Sequence, residues 1–326
     1  MGINRRQALA ASAALCGVSA PFANAWAQAY PNKPVRVIVP QPPGGGFDSV
    51  GRLLADRLGR QMGQPFVVEN RPGSGTLVGT DLAAKASPDG YTLLVGSISN
   101  LALNPGLYPA LPYDSLRDFE ALGLLVSYSY TLMARKDLPF QTLQEVIAYA
   151  KANPGKLNYA SAGNGSGQHV LAAALWQQAK ADVTHVPYRG AQPAYQDLLG
   201  GRVDLFFDLS PTAQAQVDAG NVRALAVSGA ARNPMLAQVP TVRECGVPLE
   251  LESWFGLFAP AKTPRETVDR LRADFATVAA LPDVQETLRK GGGKPLALTG
   301  DKAAAMVKRD VETWAPLVRT LGIRAE

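Results

Sequence analysis

The chain has 326 residues, of which 47% are hydrophobic and 18% are charged, a balance typical of a globular protein. Because this length exceeds the usual size of one domain, we expect two domains. The formal net charge of +5 is small and scattered, without a basic stripe or interleaved aromatic residues, and this excludes nucleic acid as the expected partner.

The first 29 residues have the pattern of a cleaved export signal. Arg5 and Arg6 form a basic start, Ala8–Ala20 is a short apolar run, and Ala27-Gln28-Ala29 fits a small-x-small cleavage site. A membrane anchor is the weaker alternative, because spanning a bilayer takes roughly 20 apolar residues. We expect a mature protein that begins at Tyr30 and reaches the periplasm by the general secretory or the twin-arginine route.

Strand-like apolar runs alternate with helical patterns along the mature chain. The first series predicts strands at Val35–Pro40, Phe66–Asn70 and Thr92–Gly96, with helices at Asp48–Met62 and Leu77–Ala86. The second predicts strands near Leu157–Ala160, Val183–Val186, Val203–Phe207 and Ala224–Ser228, with helices near Leu143–Lys151, His169–Ala179, Ala191–Leu199 and Pro211–Ala219. This alternation indicates an α/β protein with two parallel sheets.

The last part of the chain predicts a strand at Trp254–Pro260 followed by helices at Pro264–Ala279, Asp283–Lys290 and Asp301–Leu321. No third strand series accompanies these helices, so we expect them to pack on the first sheet. The first lobe would then comprise residues 30–127 plus 254–326, and the second lobe residues 128–253. Two crossings between the lobes form a hinge, and the cleft between α/β lobes is a common site for small ligands.

A glycine-rich loop after the first strand is a candidate anion-binding site. Gly44, Gly45 and Gly46 allow close approach of backbone N–H groups, and the helix that follows near Phe47-Asp48 favours negative charge at its N-terminus. The alternative is a tight strand-to-helix turn in which Asp48 is an ordinary helix cap. The spacing alone does not separate the two.

Two further loops repeat this arrangement of small residues before a helix. Gly73-Ser74-Gly75 follows the second strand, where Arg71 is either a carboxylate ligand or a solvent-facing residue, and Val78 breaks the dinucleotide-binding pattern. Ser161 to His169 forms the third loop, in the second lobe. It lacks the G-x-S-x-G sequence of a serine hydrolase.

Residues for other chemistry are scarce. His169 and His185 are the only histidines, too few for most metal or acid–base sites, and no phosphate-binding loop with its lysine is present. His185 falls in a strand pattern and is expected to be structural, whereas His169 begins a helix beside the third loop. Removal of the signal leaves Cys245 as the one cysteine, so we expect no internal disulfide, no cofactor and no metal.

Together these segments resemble the Bug family, the solute receptors linked to tripartite tricarboxylate transporters. The resemblance covers nearly the whole mature chain. It rests on residues 44–48 (GGGFD), 69–75 (ENRPGSG), 88–94 (PDGYTLL), 159–163 (YASAG) and 185–190 (HVPYRG), with 198–201 (LLGG) and 207–208 (FD) in addition.

The resemblance implies a Venus-flytrap fold of the periplasmic-binding-protein type, with two Rossmann-like lobes around a central cleft. It implies a carboxylate ligand (a dicarboxylate, an acidic amino acid or an aromatic acid), membrane transporter subunits as partners and no catalysis, and we expect a monomer. An exported enzyme or a sensor-partner module that uses the same cleft is the alternative.

The family's binding positions correspond here to five groups of residues: Gly44, Gly45, Gly46, Phe47 and Asp48; Ser74, Gly75, Thr76 and Leu77; Ser97 and Asn100; Ser161, Ala162, Gly163, Gly165, Ser166 and His169; Tyr188 and Asp208. Asp208 has an equal alternative as a cap of the helix that follows it. Thr76 departs from the family pattern, which has glycine there, so a methyl and a hydroxyl group are expected to shrink or polarise the pocket.

Overall fold

The computed structural model describes residues 30–323, and the predicted export signal lies outside this range. The strands are β1 (Val35–Val39), β2 (Phe66–Asn70), β3 (Thr92–Ser97), β4 (Phe119–Arg135), β5 (Asn158–Ser161), β6 (Thr184–Pro187), β7 (Leu205–Leu209), β8 (Val222–Val227), β9 (Glu252–Pro260) and β10 (Gly293–Thr299). The α-helices are α1 (Gly46–Met62), α2 (Leu77–Ala84), α3 (Asn104–Leu107), α4 (Leu143–Ala152), α5 (Gly167–Ala179), α6 (Ala191–Leu199), α7 (Ser210–Asp218), α8 (Arg265–Ala280), α9 (Pro282–Lys290) and α10 (Gly300–Thr320).

The first lobe is built on three parallel strands. β1 lies between β2 and β3, and β9 extends this sheet by pairing antiparallel with β3. The sequence of β1, Val-Arg-Val-Ile-Val, is nearly all β-branched and is buried on both faces, as expected for a strand covered by helices on each side. This part of the fold agrees with the predicted alternation of strands and helices.

One long strand, β4, connects the two halves of the molecule. Its first part pairs with β9 from Phe119 to Ser129, and its second part pairs with β7 and β8 from Tyr130 to Arg135. The sequence analysis did not predict this strand, because a continuous apolar run with glycine lacks the alternation that marks a half-buried strand. The predicted first crossing, between residues 127 and 128, therefore lies within a strand, and the lobe boundaries stay a prediction.

The second lobe surrounds β5, which pairs in parallel with β6 and β7. Because β4 runs antiparallel to both β7 and β8, the expected second sheet is mixed rather than all parallel. Within the described residues, β4 joins all the strands into one ten-stranded sheet.

The C-terminal part of the chain adds a strand that was not predicted. β10 pairs antiparallel with β4 and contains Pro295, which is tolerated at an irregular edge position and obscures the strand in the sequence. The helix α10 packs on α3 and on a π-helix at Ile98–Leu103, and the Trp254 indole N–H donates to Asp310 Oδ2 at 2.8 Å. The tail thus packs beside the first sheet, and its assignment to the first lobe stays a prediction.

Candidate ligand-binding site

A narrow cleft lies where loops of the two lobes meet. Its free volume is about 10 Å³, which is room for about one water molecule. The lining residues come from both lobes and from the connecting strands: Gln41, Gly45, Gly46, Phe47, Ser99, Tyr130, Gln168, Ala191, Asp208, Leu209, Ser253 and Phe255.

The first glycine-rich loop places the N-terminus of α1 in this cleft. Gly44 has a φ of +87°, a conformation that favours glycine, and the helix begins at Gly46. The N–H groups of Gly46 and Phe47 have no partner within the helix because they belong to its first turn. They are therefore available to an anion, and the helix dipole adds partial positive charge there.

Asp48 holds this loop in shape. Its carboxylate accepts hydrogen bonds from the Gly44 N–H at 3.1 Å, from Arg52 Nε at 2.9 Å and from Asn70 Nδ2 at 2.9 Å. Burial raises the pKa of Asp48, but these hydrogen bonds outweigh burial and the net pKa is lowered. Asp48 lies in the first turn of α1 and not at its N-cap position, which is Gly45. Its contacts are with the loop and with neighbouring side chains, so they differ from the predicted capping role and include no contact with the cleft.

The second loop makes its hydrogen bonds internally. The N–H groups of Thr76 and Leu77 donate to the Ser74 carbonyl at 2.8 and 3.1 Å. Thr76 is buried, and its hydroxyl accepts from Asn104 Nδ2 at 3.2 Å. The Thr76 side chain thus joins a polar network inside the first lobe and does not line the cleft, contrary to the effect on the pocket expected from the sequence.

Ser97 and Asn100 belong to that same internal network. The Ser97 hydroxyl accepts from the Ser99 N–H at 3.0 Å, and Asn100 Nδ2 donates to Thr80 Oγ1 at 3.0 Å. Both residues are fully buried and cap the π-helix. The hydroxyl of this segment that lines the cleft belongs to Ser99.

The third loop is held by two stacked imidazole rings. His169 and His185 lie 3.9 Å apart in parallel planes. His169 Nδ1 accepts from the Gly165 N–H at 3.1 Å, and His185 Nε2 lies 2.7 Å from the Ser161 hydroxyl. Burial lowers the pKa of His169 to about 3, with a further contribution from His185, and lowers that of His185 to about 4. Both rings are therefore neutral at neutral pH.

The remaining N–H groups of the third loop are also largely engaged. Gly163 donates to Ser161, Ser166 donates to the Gly163 carbonyl, and the Ala162 carbonyl accepts from Gly190. The Ser166 hydroxyl caps α5 by accepting from the His169 N–H at 3.3 Å. Because these groups are used within the protein, contact of this loop with ligand remains a prediction.

Tyr188 and Asp208 differ in their relation to the cleft. The Tyr188 hydroxyl donates to Asp197 at 2.7 Å, within the second lobe. Asp208 lines the cleft and accepts hydrogen bonds from Gln168 Nε2 at 3.1 Å, from the Tyr195 hydroxyl at 3.0 Å and from the Thr212 hydroxyl. Burial raises the pKa of Asp208, against the opposing effect of these donors.

The comparison with known proteins identifies the family. The model for the tripartite tricarboxylate transporter family receptor matches residues 50–323, which is most of the chain. This chain belongs to that receptor family. The similarity extends to a UPF0065 protein of Pseudomonas sp. strain P51, encoded in a tcbD-tcbE intergenic region, with 39% identity over 97% of this chain and 94% of the relative.

Two solved structures share the fold of this receptor. The periplasmic binding protein BugD matches with a TM-score of 0.86 and 35% identity, over 91% of this chain and all of that one. MatC from Rhodopseudomonas palustris with bound malate matches with a TM-score of 0.84 and 33% identity, over 89% of this chain and all of that one. The predicted fold class and family are confirmed.

Several cleft residues of the receptor were not found from the sequence. Tyr130, Gln168 and Ser253 place polar groups in the cleft, and Phe255 packs edge-on against Phe47 with ring centroids 5.1 Å apart. Burial raises the pKa of the Tyr130 hydroxyl to about 12, so it stays protonated at neutral pH. Tyr130, Ser253 and Phe255 lie on β4 and β9, outside the glycine-rich loops, so no motif marks them. Gln168 lies within the third loop's sequence, at the start of α5, but was not among the candidate residues.

The described part of the receptor contains no cluster of three or more His, Cys, Asp or Glu residues placed to hold a metal ion. Among residues 30–323 there is also no helix with the length and apolar character needed to span a bilayer.

Proposed function

We propose that this receptor binds a small organic carboxylate in the cleft and delivers it to the membrane subunits of a tripartite tricarboxylate transporter. The observation that carries the proposal is the N-terminus of α1, where Gly46 and Phe47 present unpartnered helix N–H groups to a cleft whose other polar groups are hydroxyls, amides and the carboxyl group of Asp208. Such a helix end stabilises one carboxylate without a basic side chain. The malate-bound relative supports this class of ligand.

The compact cleft supports a mechanism of opening and closing. Ser99 of the first lobe accepts a hydrogen bond from the Gly167 N–H of the second at 3.1 Å, and Gln192 Nε2 lies 3.4 Å from the Gly44 carbonyl. Since the free volume is about 10 Å³, a multi-carbon acid enters only after these contacts separate. Closure on the ligand then replaces water around the carboxylate with oriented protein donors.

For the alternative of an exported enzyme, one candidate pair of nucleophile and base is Ser161 and His185. The serine hydroxyl is fully buried and is held by both the N–H and the carbonyl of Gly163, and neither member of the pair lines the cleft. A nucleophile must reach its substrate, so this pair serves to fix the loop. The receptor proposal accordingly includes no catalysis, a location in the periplasm after cleavage at residue 29 and action as a monomer.

Native mass spectrometry of the freshly purified protein, followed by a thermal-shift screen of organic acids, tests this function. An acid that binds only the folded state stabilises it by about 2.7 kcal/mol when its concentration is near 100 times Kd. We expect such a shift with an acid that is recovered unchanged after incubation. Turnover of the acid contradicts the receptor function in favour of an enzyme, and the lack of a shift with every acid contradicts binding.

A further inference from the structure

A cavity of about 500 Å³ lies beside β8, apart from the ligand cleft. It shares no lining residue with that cleft, and all its lining residues fall between residues 136 and 240, within the predicted second lobe. Its volume is typical of ligand sites, which range from about 300 to 1,000 Å³. We call this cavity the β8 groove, because four consecutive residues of β8, Val222 to Leu225, line it.

The β8 groove runs along the edge of its strand. Successive side chains of a strand point to opposite faces of the sheet, so a cavity lined by four consecutive residues touches both faces. Val222 belongs to the apolar cluster that includes Ala213 of α7, whereas Arg223 donates to the carbonyl oxygens of Leu138 and Phe140, before α4, at 3.0 and 2.6 Å. Residues from both sides of the sheet complete the lining: Val217 and Gly220 from α7 and the turn after it, and Gln141, Thr142 and Gln144 from the start of α4.

The outer edge of β8 offers free backbone groups to this groove. β8 pairs with β4 on one side only. On its other side the strand first meets a backbone partner at Val227, whose N–H donates to the Pro240 carbonyl at 2.9 Å and whose carbonyl accepts from the Val242 N–H at 2.8 Å. From Val222 to Ala226, the described part of the chain makes no backbone hydrogen bond on that side. An open strand edge of this kind is a template for the addition of another strand.

The β8 groove also carries uncompensated positive charge. Lys136 and Arg223 line it, and none of the lining residues is Asp or Glu. The acidic residues adjacent in sequence are engaged elsewhere: Asp137 pairs with Arg135 at 2.5 Å, and the Glu145 carboxylate accepts from backbone N–H groups at the start of α4. Two cations without a carboxylate in one groove attract an acidic occupant.

We infer that the β8 groove binds an extended, acidic segment of a partner protein, which adds a strand to the edge of the second-lobe sheet. The backbone of the segment bonds to the outer edge of β8, its acidic side chains lie on the side of Arg223, and its apolar side chains pack toward Val217. Alternating acidic and apolar residues meet this requirement, because side chains alternate along a strand. The groove is separate from the ligand cleft, so the inference goes beyond the proposed function and does not depend on it.

Fluorescence anisotropy with a labelled synthetic peptide of sequence TVEVEVT tests the β8 groove on the purified, exported protein. We expect saturable binding with a Kd of about 100 μM or tighter. The peptide TVKVKVT, which has the same apolar residues and the opposite charge, should bind at least about tenfold more weakly. Absence of binding, or equal binding of the two peptides, would overturn the inference.

N-methylated peptides separate strand addition from attraction between side chains. Alternate residues of an added strand direct their N–H groups toward β8, and the residues between them direct theirs away. One version of TVEVEVT carries N-methyl groups on its valines and another on its glutamates. We expect just one of these versions to lose affinity, by at least about tenfold, because it alone loses the N–H groups that face β8. Equal affinities of the two versions would show that no strand is added.

Reversal of one charge in the groove tests the role of the cations. Lys136 is exposed, so Lys136→Glu should fold, as circular dichroism can verify, and should weaken binding of TVEVEVT at least about tenfold. The matched control is Lys156→Glu, an exposed lysine in the turn between α4 and β5, which makes the same change in net charge away from the groove. It should leave Kd within about twofold. Equal losses in the two variants would indicate general attraction to the protein and would contradict a site at β8.

Hydrogen exchange of the wild-type protein locates the bound peptide without any substitution. Saturating TVEVEVT should slow amide exchange within residues 222–226 and leave exchange at Gly46 and Phe47 unchanged. Slower exchange at Gly46 and Phe47 with no change at β8 would place the peptide carboxylates in the ligand cleft. That result would overturn the inference while leaving the proposed function intact.

Discussion

Substitution of Gly75 by alanine tests whether close approach of the lobes is needed for binding. Gly75 belongs to the second loop, in the first lobe, and a Cβ at this position would lie 2.6 Å from the carbonyl oxygen of Asn164 in the second lobe. An ordinary contact begins at 3.4 Å, so the two loops must separate by the difference, about 0.8 Å. Both contacting groups lie on backbone loops, so a change of rotamer cannot relieve the clash.

The size of the effect follows from the contacts that such a separation disturbs. The hydrogen bond from Gly167 to Ser99 would lengthen from 3.1 Å beyond hydrogen-bonding distance if the lobes moved as rigid bodies. Loss of one such bond and of the surrounding contacts costs about 1–3 kcal/mol, and 1.4 kcal/mol corresponds to about a tenfold rise in Kd. We therefore expect Gly75→Ala to weaken ligand binding at least about tenfold.

A matched glycine separates this effect from backbone strain. Gly63 has a φ of +71°, nearly that of Gly75 at +70°, but a Cβ at Gly63 would have no atom within 4 Å. Each alanine variant carries a similar cost, about 1 kcal/mol, for a left-handed backbone conformation. Calorimetry should show weakened binding for Gly75→Ala alone, and small-angle scattering should show incomplete compaction with ligand. Equal affinity in the two variants would refute the closure mechanism.

Three further predictions address the loops around the cleft. Ser166→Ala removes the cap of α5 and should lower the free energy of unfolding by about 1 kcal/mol in urea, with little change in ligand affinity; a large loss of affinity at unchanged stability would show direct ligand contact instead. Arg71 pairs with Glu69 at 2.9 Å, so Arg71→Ala should leave the Kd for ligand within about twofold. Gly46→Val places a side chain against Leu209 and should weaken ligand binding by about tenfold or more. If calorimetry reverses this order, the proposed site is contradicted. The pKa of His169 is lowered from 6.5 to about 3 on folding and that of His185 to about 4, so below pH 6.5 the unfolded chain takes up two protons that the folded chain does not. Stability should therefore fall between pH 7.5 and 5.5, with each ring contributing up to about 1.4 kcal/mol per pH unit below the unfolded pKa; equal urea midpoints at both values would show that neither ring is buried in its neutral form.

The regular strands and helices could be predicted because their apolar and polar residues recur with the period of a strand or of a helix. β1, β2 and α6 begin and end within a residue of the predicted bounds, since Gly, Pro or Asn residues mark their ends. β4 could not be predicted in the same way, because burial on both faces removes its period. β10 was missed because Pro295 and a bulge interrupt its pairing with β4.

The candidate site was only partly accessible from the sequence. The first loop could be proposed from the sequence because three adjacent glycines before a helix permit close approach of the backbone, but the spacing did not separate an anion site from a tight turn. The hydrogen-bond partner of each loop N–H group could not be predicted, because it depends on residues distant in the sequence or on local turn geometry. The Gly167 N–H donates to Ser99, for example, and the Leu77 N–H donates to the Ser74 carbonyl. Tyr130 and Ser253 were not predicted as cleft residues. A single hydroxyl on a buried strand forms no recognisable sequence pattern, because the fold alone brings these strands together.

Carboxylate binding at the N-terminus of α1 is the central claim, and a crystal structure of the receptor with a bound organic acid tests it most directly. The account predicts a carboxylate oxygen about 2.7–3.2 Å from the N–H groups of Gly46 and Phe47, with the body of the acid against Phe255. An acid bound outside the cleft, or a carboxylate held by the Arg71 side chain with the α1 N–H groups unoccupied, would contradict it.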